Sequence, residues 1–350
     1  MAKYILYHPS DTDKSYIEHF SQNTNAYCTD VMMHSISEAL RDQNHSVEIQ
    51  YVQLSYPVEG VFSANLTIPE LEIDISEVPS TLWFIIANAD TKKFVIVDLQ
   101  DSPVITYRLD THKNFVFSLV GQFSLERYKI ESGGCIDRTK LVPYVYTAYY
   151  PLLTESLREE IQDIRRSTEK LDDRIFFYGN NRDTYIHSDG DSNTQKIREV
   201  ISVLEEKYPN ESCVGSWETK LPLEEFFKKA ATHTINLGLP GHQWCSREHE
   251  LWTLGLPVML YEHTHRMAVD LIPNYHYIAV AAGRRLTIGM AKDPELAADE
   301  IVKVHREWVK PENRWRVNFV ANNGKERMDN YASPKIIGKI TLPLLALGHW

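Results

Sequence analysis

The chain has 350 residues, enough for one large or two medium domains, and its 43% hydrophobic and 24% charged content is that of a folded globular protein rather than a disordered one. A net charge of −11 removes any global attraction to a polyanion, so a nucleic acid would have to be held by a local basic patch. No apolar run approaches the roughly 18 residues of a membrane span, and the start MAKYILYHPSD reaches acid at Asp11 without a signal peptide's apolar stretch; a cytoplasmic location is expected (host cytoplasm if the protein is viral). The 4 cysteines, Cys28, Cys135, Cys213 and Cys245, form no CxxC pair and read as reduced thiols rather than a zinc or disulfide framework.

In chain order, Tyr4–Tyr7 reads as a strand and Thr29–Asp42 as a helix opened by a capping threonine or aspartate. Val47–Val52 is the next strand, followed by a variable loop. Leu82–Ala87 (LWFIIA), Phe94–Asp98 (FVIVD) and Asn114–Leu119 (NFVFSL) are continuous apolar runs, the pattern of strands buried on both faces of a parallel sheet. Ser156–Asp173 is strongly charged and reads as a solvated helix linking two domains. The alternation then restarts with strand Arg174–Tyr178, a polar glycine loop, helix Gln195–Lys207, strand Thr234–Leu237, helix Ser246–Leu254, strand Pro257–Tyr261, short strand Tyr277–Val280 and helix Pro294–Lys310.

This alternation predicts an α/β fold of two Rossmann-like, doubly wound domains facing across a cleft, with ligands at the carboxyl ends of strands. The expected boundaries are 1–165 for an acceptor-binding domain and 166–325 for a nucleotide-sugar-binding domain. The apolar tail 326–350 is expected to pack back on the first domain.

The segment Thr234–Tyr261 carries the most chemistry. It runs strand, glycine loop with Gly238 and Gly241, helix start at Ser246-Arg247, helix, Gly255, then a strand opened by proline. A diphosphate needs backbone N–H groups, the positive end of a helix and a cation, and this segment supplies all three at one point. Arg247 in the first turn can fork onto phosphate oxygens, and Glu250, three residues on, can accept both hydroxyls of a ribose. RIFFYGNNRDTY repeats the logic: a strand ends at Gly179, Arg182 follows in the loop, and Arg198 comes early in the next helix.

Other features read more plainly. Asp189-Gly190-Asp191 matches a metal-holding DxD triplet but sits in a Ser/Gly/Asn-rich stretch and reads as a turn. His263 and His265 read as a polar loop. Tyr144, Tyr146, Tyr149 and Tyr150 could stack on a sugar or base, although core packing is the commoner use of such tyrosines.

A strand, FxGxxR loop and helix, followed later by a loop, Ser-Arg, a glutamate three residues on, a glycine and a Pro-Val strand, resembles the donor half of GT-B glycosyltransferases. The pattern is similar to the CAP10-like group and to the T-even phage DNA β-glucosyltransferases, with Arg247, Glu250 and Val258-Met259-Leu260 in the matching places. The resemblance implies a nucleotide-diphosphate sugar donor, UDP-linked by preference, bound by Gly179, Arg182, Arg198, Gly238, Gly241, Ser246, Arg247 and Glu250. It also implies an aspartate base after a buried strand, for which Asp98 and Asp101 compete before Pro103, and an acid on the first helix at Asp30. The implied reaction inverts the anomeric carbon and requires no divalent metal or other cofactor. The acceptor is a glycan or a hydroxymethylated phage DNA base. A nucleotide-sugar epimerase and a non-catalytic sugar-nucleotide-binding module are the alternatives on the same fold.

Overall fold

The computed structural model describes residues 1–10, 24–53, 63–79, 83–99, 112–121, 140–144, 153–178, 193–215, 221–239, 246–261, 271–280 and 293–347. The fold is α/β, as the alternation predicts. Contacts divide the described residues into two compact units, one within Met1–Pro151 and Asn330–Trp350, the other within Leu152–Thr264 and Leu271–Asp329.

The first unit begins with β1 (Lys3–Ser10), α1 (Thr24–Asp42) and β2 (Ser46–Gln53). Next come a hairpin of β3 (Ser63–Ile68) and β4 (Ile73–Pro79), then β5 (Trp83–Asn88), β6 (Phe94–Asp98), β7 (Phe115–Val120) and β8 (Leu141–Pro143). The main sheet has the order β2-β1-β5-β6-β7-β8. The β3–β4 hairpin lies in what the sequence suggested was part of a variable loop. Its Leu66, Ile68 and Ile73 bury against Trp83, Ile85 and Ala87 on one face of the sheet, while Met32, Met33, Ile36 and Leu40 of α1 cover Phe84 and Ile86 on the other.

One expectation is corrected here. The run Leu82–Ala87 reads as a parallel strand, yet β5 is antiparallel to both neighbours, with Trp83 opposite Asp98 and Ile85 opposite Tyr7. Only Ala89–Lys93 separate β5 from β6, whereas a parallel return needs a crossover of a dozen or more residues. The side chain of Asn88 closes the turn by accepting from the N–H groups of Asp90 (2.9 Å) and Thr91 (3.1 Å). The strand is apolar throughout because both its faces are covered, which is the condition that makes parallel strands apolar too.

The second unit runs α2 (Glu155–Ser167), β9 (Ile175–Tyr178), α3 (Asn193–Lys207), β10 (Ser212–Gly215), α4 (Leu223–Ala231) and β11 (Asn236–Gly238). It continues with α5 (Ser246–Thr253), β12 (Val258–Tyr261), β13 (Ile278–Val280), α6 (Pro294–Trp308) and most of α7 (Arg314–Tyr331). Every strand pair is parallel, in the order β10-β9-β11-β12-β13. Val200 and Leu204 of α3 and Ala298, Ile301 and Val302 of α6 pack on one face, with Ile175, Leu237, Met259 and Ile278 beneath them. On the other face, the Phe226 ring of α4 lies 5.7 Å from that of Phe176.

The charged segment 156–173 forms a helix, α2 (Glu155–Ser167), that is largely exposed, as expected, with one stripe held by the rest of the unit. Thr154 caps α2 by accepting from the N–H of Leu157 (3.2 Å), Ile161 is buried, and Arg165 donates to the carbonyl of His233 at 2.9 Å. Burial of that guanidinium, with Arg314 nearby, lowers its pKa to about 10.

The chain ends in α8 (Pro334–Leu347), which packs on α1 within the first unit. The two backbones come close at Gly338, where a Cβ would stand 2.6 Å from both the Ala39 Cβ and the Ser35 carbonyl oxygen. Tyr144 is buried and hydrogen-bonded to Thr341, the packing use of this tyrosine. Among the described residues, no helix is long and apolar enough to cross a membrane.

Candidate active site

In the second unit the chain starts at β9, steps out to β10, and returns to the other side of β9 to lay down β11. The two directions of winding diverge between β9 and β11, which are direct neighbours through Asn236 and Phe176. Open α/β sheets bind ligands at such a switch point, outside the carboxyl ends of the strands. The two glycine-containing stretches singled out in the sequence follow β9 and β11 in the chain, whose ends are adjacent.

Helix α5 follows β11. Glu250 is 2% exposed, and its Oε1 has no hydrogen-bond partner among the described residues. Desolvation pushes its pKa up to about 7, against the opposing pull of Arg247. The Arg247 guanidinium carbon lies over the Phe226 ring, 5.4 Å from its centroid, so one face of this cation rests on an aromatic surface. Leaving a buried carboxylate oxygen without a donor is expensive, and sites that keep one usually reserve it for a ligand.

Gly238 ends β11, and the space above it is taken. A Cβ there would meet the Glu248 Cγ and Oε1 and the Leu260 Cδ1, all at 2.9 Å. Only a glycine lets α5 seat this close to the strand end. Glu248 and His249, 3% and 0% exposed, were not singled out from the sequence. Glu248 stands three and four residues before Leu251 and Trp252, so it shares their sheet-facing stripe, and that spacing was the available signal. The His249 ring meets Trp252 edge-on at 5.6 Å.

Asp98 belongs to the first unit. It ends β6, is 2% exposed, and pairs in register with Val120 of β7 and Trp83 of β5; its carbonyl accepts from the Gly121 N–H at 2.8 Å. Because β1, β2, β6, β7 and β8 run parallel to one another, Asp98 stands at their common carboxyl edge. Asp101, Gly179, Arg182, Gly241, the Asp189–Asp191 triplet, His263 and His265 lie outside the described residues, as do the side chains of Asp30, Arg198 and Ser246.

A cleft of about 450 Å³ opens at the opposite, amino edge of the second sheet, lined among others by Asp172, Arg174, Glu211, His305 and Arg306. Its charges are spent on each other, Arg174 on Asp172 and Arg306 on Glu211, both at 2.6 Å. The strand ends that open α/β sheets use for ligands lie at the other edge.

The chain superimposes on the crystal structure of a glycosyltransferase from Rickettsia africae with a TM-score of 0.50 and 9% identity, over 98% of this chain and 97% of that one. The likeness is one of fold: the chain shares the α/β architecture of that enzyme. The wall teichoic acid polymerase TagF aligns with 66% of this chain and 60% of its own at 11% identity, but at a TM-score of 0.23 that likeness carries no weight. No protein-family model matches the chain, and no curated protein matches it in sequence.

Proposed function

We propose that the protein is a glycosyltransferase that moves a sugar from a nucleotide-diphosphate sugar, UDP-linked by preference, to an acceptor hydroxyl. The observation that carries this reading is the buried Oε1 of Glu250, without a hydrogen-bond partner among the described residues, beside Arg247 on the helix that follows β11 at the switch point. In this reading Glu250 accepts the ribose hydroxyls. Arg247, with Arg182, Arg198, Ser246 and the glycine loops of Gly179, Gly238 and Gly241, takes the diphosphate.

Charge builds on the diphosphate as the glycosidic C–O bond breaks, and a fixed guanidinium and helix dipole stabilise it there, so no divalent metal is required. Asp98, with Asp101 as its competitor and Asp30 as the next candidate, takes the proton of the acceptor hydroxyl. A base acting opposite the leaving group inverts the anomeric carbon. A glycan is the preferred acceptor over hydroxymethylated DNA, given the net charge of −11.

Thermal denaturation with UDP and a set of nucleotide sugars tests the donor site, because a ligand at a hundred times its Kd raises stability by about 2.7 kcal/mol. The reading requires a shift in the wild type that Arg247→Ala loses. UDP release that depends on added acceptor then separates a transferase from an epimerase. No shift with any nucleotide would sink the donor site.

A further inference from the structure

The first half of α7 presents large apolar side chains to solvent. Trp315 and Phe319, one turn apart, are 67% and 44% exposed, and in the segment before β13 Ile272 and Tyr275 are 53% and 44% exposed. These side chains form one surface: the Tyr275 ring meets the Phe319 ring edge-on at 5.4 Å, and Ile272 and Tyr275 lie on one tight turn. That turn is well braced. The Ile272 N–H donates to His276 Nδ1 at 2.8 Å, and the Asn274 side chain accepts from the Ala279 N–H at 3.1 Å. Exposed aromatic groupings of this kind mark interaction sites, because scattered single side chains need no such support.

The surroundings narrow the partner. Two arginines lie on this part of α7, and both are engaged: Arg314 on Asp173 at 2.6 Å, Arg316 over the Trp308 ring at 4.4 Å. Residues 271–280 contain no lysine or arginine; of the exposed charges flanking the aromatic face on its own helix and just before it, Glu312 and Glu326 are acidic and Lys310 is engaged by Glu307 at 2.5 Å. A polyanion or an anionic bilayer finds no ready cation among these residues. Four half-exposed side chains offer roughly 400 Å², about half of what one partner contributes to a standard protein interface of about 800 Å² per side. What remains is flat aromatic faces with the exposed carboxamides of Asn318 and Asn322 beside them. That combination suits a neutral sugar, whose C–H face stacks on a ring while its hydroxyls pair with amides that both donate and accept.

We propose that Trp315, Phe319, Tyr275 and Ile272 form a non-catalytic platform for a neutral glycan chain. The platform rests on the glycosyl-transfer reading only in making that chain the enzyme's acceptor or product. The test is native affinity electrophoresis in gels containing dextran, glycogen, mixed-linkage β-glucan or galactomannan, without donor. The wild type should be retarded by at least one polymer. The double variant Trp315→Ala, Phe319→Ala should bind it at least tenfold more weakly while keeping the thermal shift with UDP. Arg247→Ala should be retarded like the wild type, so loss of the donor site and loss of the platform register separately. No retardation by any of the four polymers, or equal retardation of the double variant, overturns the proposal. So does a double variant whose gel mobility is unchanged while it loses sedimentation with phosphatidylcholine vesicles or a wild-type dimer, since the surface would then belong to a membrane or a second copy.

Discussion

The two sheets wind outward from a central pair of strands in similar ways, but they differ at the point where the winding reverses. In the second unit β9 and β11 are adjacent and parallel, so their carboxyl ends lie side by side at one edge. In the first unit the corresponding gap between β1 and β6 is filled by β5, which runs the other way. An inserted antiparallel strand places its start, Trp83, among its neighbours' ends, next to Asp98. Two adjacent parallel strand ends at one edge suit a ligand with several anionic groups. A plugged gap leaves room for a single buried side chain to act at the edge. This difference is why the proposed function puts the donor on the second sheet and the base on the first.

The sharpest way to break this division is at Asp98. Asp98→Asn keeps the shape but removes the proton acceptor, so turnover should fall about 10²- to 10⁴-fold while UDP binds as before. If Asp101→Asn shows the loss instead, the base lies three residues on. If neither variant loses tenfold, the first sheet does not supply the base in this segment.

Next in size is Arg247→Ala. Losing a charge-assisted contact to phosphate removes about 2–4 kcal/mol, which calorimetry would read as a weakening of UDP affinity of about 30-fold or more. Unchanged affinity would leave the second sheet without a donor role.

The ribose role of Glu250 makes a prediction in pH. The Glu250 pKa is raised to about 7 in the folded protein from an ordinary 4.5, so between these values the folded state holds a proton that the unfolded state has lost. That contribution is fully present below about 4.5 and is lost as pH rises through about 7, in all of the order of 3 kcal/mol. Glu250→Gln should therefore gain stability relative to the wild type between pH 5 and pH 8. A ribose that pairs with the ionised carboxylate should make uridine bind the wild type more tightly over the same range, and the variant should show no such rise. Parallel profiles for the two proteins would argue against an ionisable Glu250 at the ribose.

The smallest effect is expected at Gly238. In Gly238→Ala the new methyl group would crowd Glu248 and Leu260 at 2.9 Å, and overpacking of this kind costs about 1–3 kcal/mol. A melting temperature equal to that of the wild type would mean that α5 can shift away from the strand end without penalty.

Much of this was legible in the sequence because the signals are local. Apolar runs, helix starts and the spacing from Arg247 to Glu250 are read within a few residues, and the strands and helices named from them are present to within about a turn. Long-range facts were not legible. The direction of β5 was missed because an apolar run reports only that both faces are covered; the short Asn88–Lys93 turn held the missing information. The β3–β4 hairpin was missed because its strands are half polar, one side on the core and the other in water. The charged stretch around Arg165 is mostly exposed, as its charge suggests, but charge alone does not say that Arg165 will be received by the His233 carbonyl.

The sequence alone determined that the chain alternates strands and helices, and that a basic helix start followed by a glutamate comes after a strand ending in glycine. Tertiary structure decided that β9 and β11, some 60 residues apart, become neighbours. It also decided that Glu250 is enclosed, with one oxygen unpaired among the described residues. Spacing along a chain sets which residues share a helix face, but burial and strand order depend on which surfaces meet, and that is set by packing across the whole unit.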